Sequence, residues 1–227
     1  MALRIALLGA ESTGKTWLAE ALTARLSQQP GLRVARVDEY LRAWCEREGR
    51  TPRADEQAAI AAEQARRIDD AARCADVVVC DTTPLMTAVY SELLFADTAL
   101  HASALEFQAR LDLHLLTGLD LPWQADGLQR DGPHVREPVD RAIRRLLRAA
   151  RLPHAIVLGQ GEQRLHAALR ALPPPLRDLG ATAASGLFSG LLAGHATQAG
   201  WRCELCDAPE CERLSRHRPQ GAGETAD

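Results

Sequence analysis

The feature that most constrains this 227-residue chain is the stretch Gly9-Ala10-Glu11-Ser12-Thr13-Gly14-Lys15-Thr16. An apolar run, LRIALLG from residue 3 to 9, leads into it, and a segment of helical composition, 15 to 28, leads out. Glycines at both ends let the backbone turn tightly. Successive N–H groups and the start of the helix then face one point, which makes a seat for an anion. Lys15 is the only lysine in the chain; every other basic side chain is arginine. Arginine presents a planar fork and lysine a compact point charge, so this position asks for an ammonium specifically. The spacing GxxxxGK[ST] between a strand and a helix predicts a phosphate-binding loop, Gly9 to Thr16, in which Lys15 reaches the β- and γ-phosphates of a nucleotide and the Thr16 hydroxyl ligates Mg²⁺. A glycine-rich turn arising by chance is the alternative, and the flanking strand and helix argue against it.

The rest of the chain repeats the same alternation. Five runs read as strands: 3–9, 32–38, 76–81, 111–117 and 154–159. Segments such as 15–28, 53–74 and 136–150 have helical composition and spacing between them. Strands alternating with helices imply right-handed crossovers and a parallel sheet covered on both faces, an α/β architecture of five strands. With 46% hydrophobic and 25% charged residues the chain can bury one such core, and its net charge of -3 supplies no general basic field for nucleic acid. The first apolar run passes straight into the glycine motif without a cleavage site, so it reads as a strand and not a signal peptide. The longest uncharged stretch, 179–201, is interspersed with Gly, Ser, Thr, Gln and His, which does not suit a membrane span. These readings favour the cytoplasm, where the six cysteines count as thiols or metal ligands.

In an open parallel sheet, ligands gather at the carboxyl ends of the strands. The second strand closes on Asp38, Glu39 and, one turn on, Arg42; the third closes on Asp81, Thr82 and Thr83. An acid at the end of a buried strand suits a site that organises Mg²⁺, which makes Asp81 a candidate metal ligand and Thr82 a candidate nucleotide contact. The alternative is that Asp81 caps the helix that begins near Pro84. Glu39 could be a general base held ionised by Arg42, or only a solvated acid. The segment 120–138, rich in Gly, Pro and Asp, carries Arg130 and Arg136. It reads either as a lid that brings arginine to a transferred phosphoryl group or as an ordinary surface loop.

Taken in order, GAESTGKT, the EYLR of Glu39 to Arg42, the Asp81-Thr82 pair and WQADGLQR at 123–130 make residues 1–172 resemble the ribosylnicotinamide kinase domain of NadR-type enzymes and related stand-alone P-loop ATPases, within the AAA family in the broad sense. The resemblance implies a P-loop NTPase fold of nucleoside-kinase type, and transfer of the γ-phosphate of ATP, with Mg²⁺, to the 5′-hydroxyl of nicotinamide riboside or a similar nucleoside. Carried over by position, Gly9, Glu11, Ser12, Thr13, Gly14, Lys15 and Thr16 hold the phosphates, Asp81 sits by Mg²⁺ or the ribose, Arg130 and Arg136 belong to the lid, and Glu39 is the base with Asp81 its rival. Tyr40, Trp44 and Trp123 are the aromatics that could stack on the base. Since the phosphate loop begins at residue 9, no adenylyltransferase segment is expected ahead of it, and the chain by itself is not expected to make NAD from the mononucleotide.

After residue 172 the composition changes. Residues 173–200 read as a linker and a small-residue-rich segment, 201–218 as a Cys-rich tail and 219–227 as a disordered end. Cys203, Cys206, Cys211 and His217 form a C-x2-C-x4-C-x5-H arrangement that would close a tetrahedral structural Zn²⁺ site, although the spacing is not a standard double CxxC form. Free or redox-active thiols, or no role, are the alternatives. From Trp201 to the end, four arginines face six acids, which disfavours nucleic acid as the partner. Two other functions stay open: a regulatory ATPase or GTPase switch whose tail docks a protein, and a module whose tail alone is functional.

Overall fold

Five strands and seven α-helices make up the described part of the chain, with at least one helix between each strand and the next. The computed structural model describes residues 2–124, 132–174 and 176, all within one unit, Met1–Thr182. The tail with Cys203, Cys206, Cys211 and His217, and the lid residue Arg130, lie outside the described residues.

In chain order the strands are β1 Leu3–Leu8, β2 Val34–Val37, β3 Val77–Asp81, β4 Leu113–Thr117 and β5 Ala155–Val157. The helices are α1 Lys15–Ser27, α2 Tyr40–Glu48, α3 Gln57–Cys74, α4 Pro84–Phe95, α5 His101–Gln108, α6 Arg136–Ala149 and α7 Glu162–Ala171. The strands pair in the order β2-β3-β1-β4-β5, all parallel. This is the expected P-loop NTPase sheet, flanked by helices on both faces. All five expected strands form, each trimmed by a residue or more. The interior strands β3, β1 and β4 are mostly apolar, because both their faces are covered.

Successive side chains of a strand point to opposite faces, so β1 feeds two cores at once. Ile5 and Leu7 join Val77, Val79 and Leu115 against Leu18, Leu22 and Leu26 of α1 and Leu165 and Leu169 of α7. Ala6 and Leu8 join Val78, Cys80 and Leu116 against helices α3 to α6. Helix α6 meets this second core with Val139, Ala142, Ile143, Leu146 and Leu147, the i, i+3, i+4 stripe of an amphipathic helix. A smaller cluster of Trp44, Cys45 and Ile60, with Tyr40 and Leu41 packed on it, joins α2 to α3.

The chain leaves β1 toward β2 on one side, and leaves β3 for β4 on the other. The crevice between the carboxyl ends of β1 and β3 is therefore the switch point where α/β sheets take ligands. The β1–β3 register sets Leu7 opposite Asp81, so the Asp81 carboxyl stands beside the loop that follows β1. Among the described residues, no helix is long and apolar enough to cross a membrane.

Candidate active site

The loop after β1 adopts the strained backbone that its glycines were expected to permit. Gly9 has φ 149°, and a Cβ there would lie 2.0 Å from Thr117 Oγ1. Gly14, the residue before α1, has φ 74°. Any other residue at Gly9 would collide with the end of β4. Ser12 is also left-handed, at φ 54°. Its hydroxyl donates to the Gln124 carbonyl at 2.8 Å, which ties the loop tip to the segment after β4.

Below the tip, hydroxyls brace the loop from beneath. Thr117 Oγ1 donates to Thr13 Oγ1 at 2.7 Å, and Thr13 Oγ1 donates in turn to the Ala10 carbonyl at 2.7 Å. Lys15 Nζ donates to that same carbonyl at 2.8 Å. Burial pushes the Lys15 pKa down, while the Glu39 and Asp81 carboxylates oppose the shift. The ammonium is thus held at the loop, next to two acids.

Asp81 is 2% exposed. Burial raises its pKa above the ordinary carboxylate value; a hydrogen bond from Thr16 and the nearby Lys15 charge act the other way. Its Oδ1 has no hydrogen-bond partner among the described residues. The helix-cap alternative does not hold, because Thr83 caps α4 by accepting the Leu85 N–H at 3.3 Å, with Pro84 opening the helix. A buried carboxylate with a free oxygen, beside the Thr16 hydroxyl, fits a hard divalent cation such as Mg²⁺. Thr82 lies in the left-handed region at φ 72°, is buried and gives its N–H to the Leu7 carbonyl at 3.2 Å. It does not line the cavity described next.

A cavity of about 530 Å³ opens beside the loop. Glu11, Ser12, Thr13, Gly14, Lys15 and Thr16 form one wall. Glu39, Leu41, Arg42 and Cys45 come from the start of α2, and Thr51 to Ala54 with Gln57 come from the entry to α3. Tyr90, Leu94 and Phe95 from the end of α4 complete an apolar side. Glu39 precedes α2 but its side chain does not cap it; Arg42 stands 3.7 Å away, as the E-Y-x-R spacing suggested. Burial raises the Cys45 pKa, so this thiol stays neutral.

The aromatic candidates from the sequence are not on this lining. Tyr40 lies under Arg67, 4.3 Å from the ring centre, and buried Trp44 lies under Arg50 at 4.9 Å. Both belong to the cluster that joins α2 to α3, and Trp123 is not on the lining either. The aromatics that do line the cavity, Tyr90 and Phe95, sit on a helix whose pattern is apolar nearly all round, so sequence alone gave no reason to single them out.

Arg136, the first residue of α6, is 8% exposed, and its Nε and Nη2 have no partner among the described residues. It is not on the cavity lining. Sequence reasoning missed Arg164 on α7 altogether. This side chain is 1% exposed and makes three bonds: to the Thr13 carbonyl at 2.7 Å, to the Gly159 carbonyl at 2.8 Å and to Asp120 Oδ1 at 2.6 Å. Asp120 Oδ2 accepts the Gly159 N–H at 2.6 Å and closes the network. Among the described residues, no three His, Cys, Asp or Glu side chains converge on a metal position.

The profile of the AAA domain family matches residues 4–164. No curated protein matches the sequence. A crystal structure of NadR protein in complex with NAD and AMP-PNP is similar over 75% of this chain, at 20% identity and a TM-score of 0.59. A second, of NadR protein in complex with NR, is similar over the same share at 21% identity and a TM-score of 0.60. The chain spans about half the length of these proteins, 48% and 50%. Thymidylate kinase from Ehrlichia chaffeensis is similar over 70% of this chain and 88% of its own, at 13% identity and a TM-score of 0.51. At these identities the likeness is one of fold alone.

Proposed function

The chain belongs to the AAA domain family, and from that premise we propose that it is an ATP-dependent kinase that phosphorylates the 5′-hydroxyl of nicotinamide riboside or a similar nucleoside. The observation that carries this reading is the cavity itself: it runs from the phosphate loop past Glu39 to an apolar aromatic side, and so offers one space for a phosphoryl donor and a nucleoside acceptor. A NadR structure in complex with NR supports the choice of riboside.

In this reading, the loop amides and Lys15 hold the phosphates of ATP, and Lys15 exchanges the Ala10 carbonyl for a phosphate oxygen. Thr16 and Asp81 would hold Mg²⁺, which when bound would supply positive charge to the phosphates. The bond from the γ-phosphorus to the bridging oxygen breaks, a new bond forms to the 5′-oxygen, and ADP leaves. Glu39 takes the proton of the hydroxyl, with Arg42 keeping it ionised. Arg136 offers the edge formed by Nε and Nη2, a fork that matches two phosphate oxygens, and Arg130 acts with it. The kinase body in this reading is residues 1–172.

The test is ADP release by the purified chain with Mg²⁺ and ATP, with and without a panel of nucleosides that includes nicotinamide riboside. Turnover that requires a nucleoside and disappears in Lys15→Ala is expected. Hydrolysis indifferent to every nucleoside would overturn the kinase reading in favour of a nucleotide switch.

A further inference from the structure

Helix α3 carries two glutamines on one face, seven residues apart, and both are 2% exposed. Gln64 is fully used: its Oε1 accepts the Tyr40 N–H at 2.7 Å and its Nε2 donates to the Asp38 carbonyl at 3.3 Å, which fastens the start of α2. Gln57 has no such role. It lines the cavity, and its Oε1 has no partner among the described residues.

A buried amide oxygen without a partner costs about 1–3 kcal/mol of desolvation, and a folded chain seldom keeps one unless a ligand or an ordered water satisfies it. Its surroundings narrow the ligand. Tyr90, Leu94 and Phe95 line the same cavity and suit a flat ring. A glutamine amide presents an acceptor beside a donor, so its natural complement is a planar edge that carries a donor beside an acceptor.

We propose that Gln57 is a specificity-determining residue that reads such an edge on the acceptor, the carboxamide of a nicotinamide or the N–H and carbonyl edge of a pyrimidine base. The inference rests on the reading that this cavity takes the acceptor. A site built to hydrogen-bond a polar group rejects the analogue that lacks it, because the buried partner is then left unsatisfied.

Isothermal titration of the full chain uses two matched pairs: nicotinamide riboside against nicotinic acid riboside, and thymidine against N3-methylthymidine. In at least one pair the wild type should bind the first member about tenfold or more tighter, and Gln57→Leu should bring the two within about twofold. Gln57→Glu keeps the volume but replaces the amide donor with a second acceptor, so it should weaken binding of the first member of each pair, and it guards against a Leu variant that fails to fold. A preference unchanged in Gln57→Leu, or no binding of any member by the wild type, overturns the inference. Phosphoryl transfer is read in parallel. Binding that depends on Gln57 without transfer supports the inference and removes the kinase reading; transfer indifferent to Gln57 does the reverse.

Discussion

Glu39 and Asp81 are the two acids that act most strongly on Lys15, and the structure gives them different surroundings. Glu39 stands on the cavity wall with Arg42 beside it, and its side chain is not spent on capping α2. Replacing Glu39 with Gln keeps its shape and removes its basicity. Steady-state kinetics should show kcat lower by about 10²–10⁴-fold with the KM for nucleoside little changed. Asp81 is buried behind Thr16, and burial raises its pKa above 3.8. The folded protein therefore binds this proton more tightly than the unfolded chain does, so the stability it adds is full below 3.8 and is lost as pH rises through the raised value. Without metal, Asp81→Asn should lose less Tm than the wild type between pH 4 and 7, by about 2–4 °C in a thermal-shift series. Added Mg²⁺ with ATP should raise the Tm of the wild type by more than that of the variant.

Among the elements, the segment between α2 and α3 decides the shape of the cavity wall. Arg50 donates to both Glu56 carboxylate oxygens at 2.7 Å, and the Arg53 N–H donates to Glu56 Oε2 at 2.8 Å. The Arg50 bond, with help from the Arg53 N–H, holds the Glu56 pKa down to about 2. Glu56 therefore stays ionised above pH 4.5, and this contribution to the wall is lost only as pH falls toward about 2. Glu56→Gln should loosen Thr51 to Ala54 and raise the KM for nucleoside by about three- to tenfold, with a smaller change in kcat. An unchanged KM would show that this wall does not meet the acceptor. At this scale the sequence was legible for β1, β3 and β4, whose buried runs have no other reading. It was less so for α2 and α5, with nine and eight residues, which are held by tertiary packing more than by their own periodicity.

Across the described part of the molecule, Arg164 joins helix α7 to the phosphate loop. It bonds a carbonyl of the phosphate loop, a carbonyl after β5 and a carboxylate after β4, so three strand ends are held at one guanidinium. Arg164→Met keeps much of the volume and leaves those acceptors without a donor. Chemical denaturation should show a loss of about 2–4 kcal/mol, and nucleotide affinity should fall with it because the Thr13 carbonyl is released. The residues Arg164, Thr117, Gln57, Tyr90 and Phe95 were not legible as site residues, since each belongs to an element with its own ordinary pattern. The sequence by itself determined the strand, the glycine turn and the single ammonium, because eight consecutive residues carry all the backbone freedom and charge that a phosphate seat needs. Tertiary structure alone decided which distant side chains brace that seat and which line the cavity beside it, because their meeting depends on strand order and helix packing, and no local spacing records that.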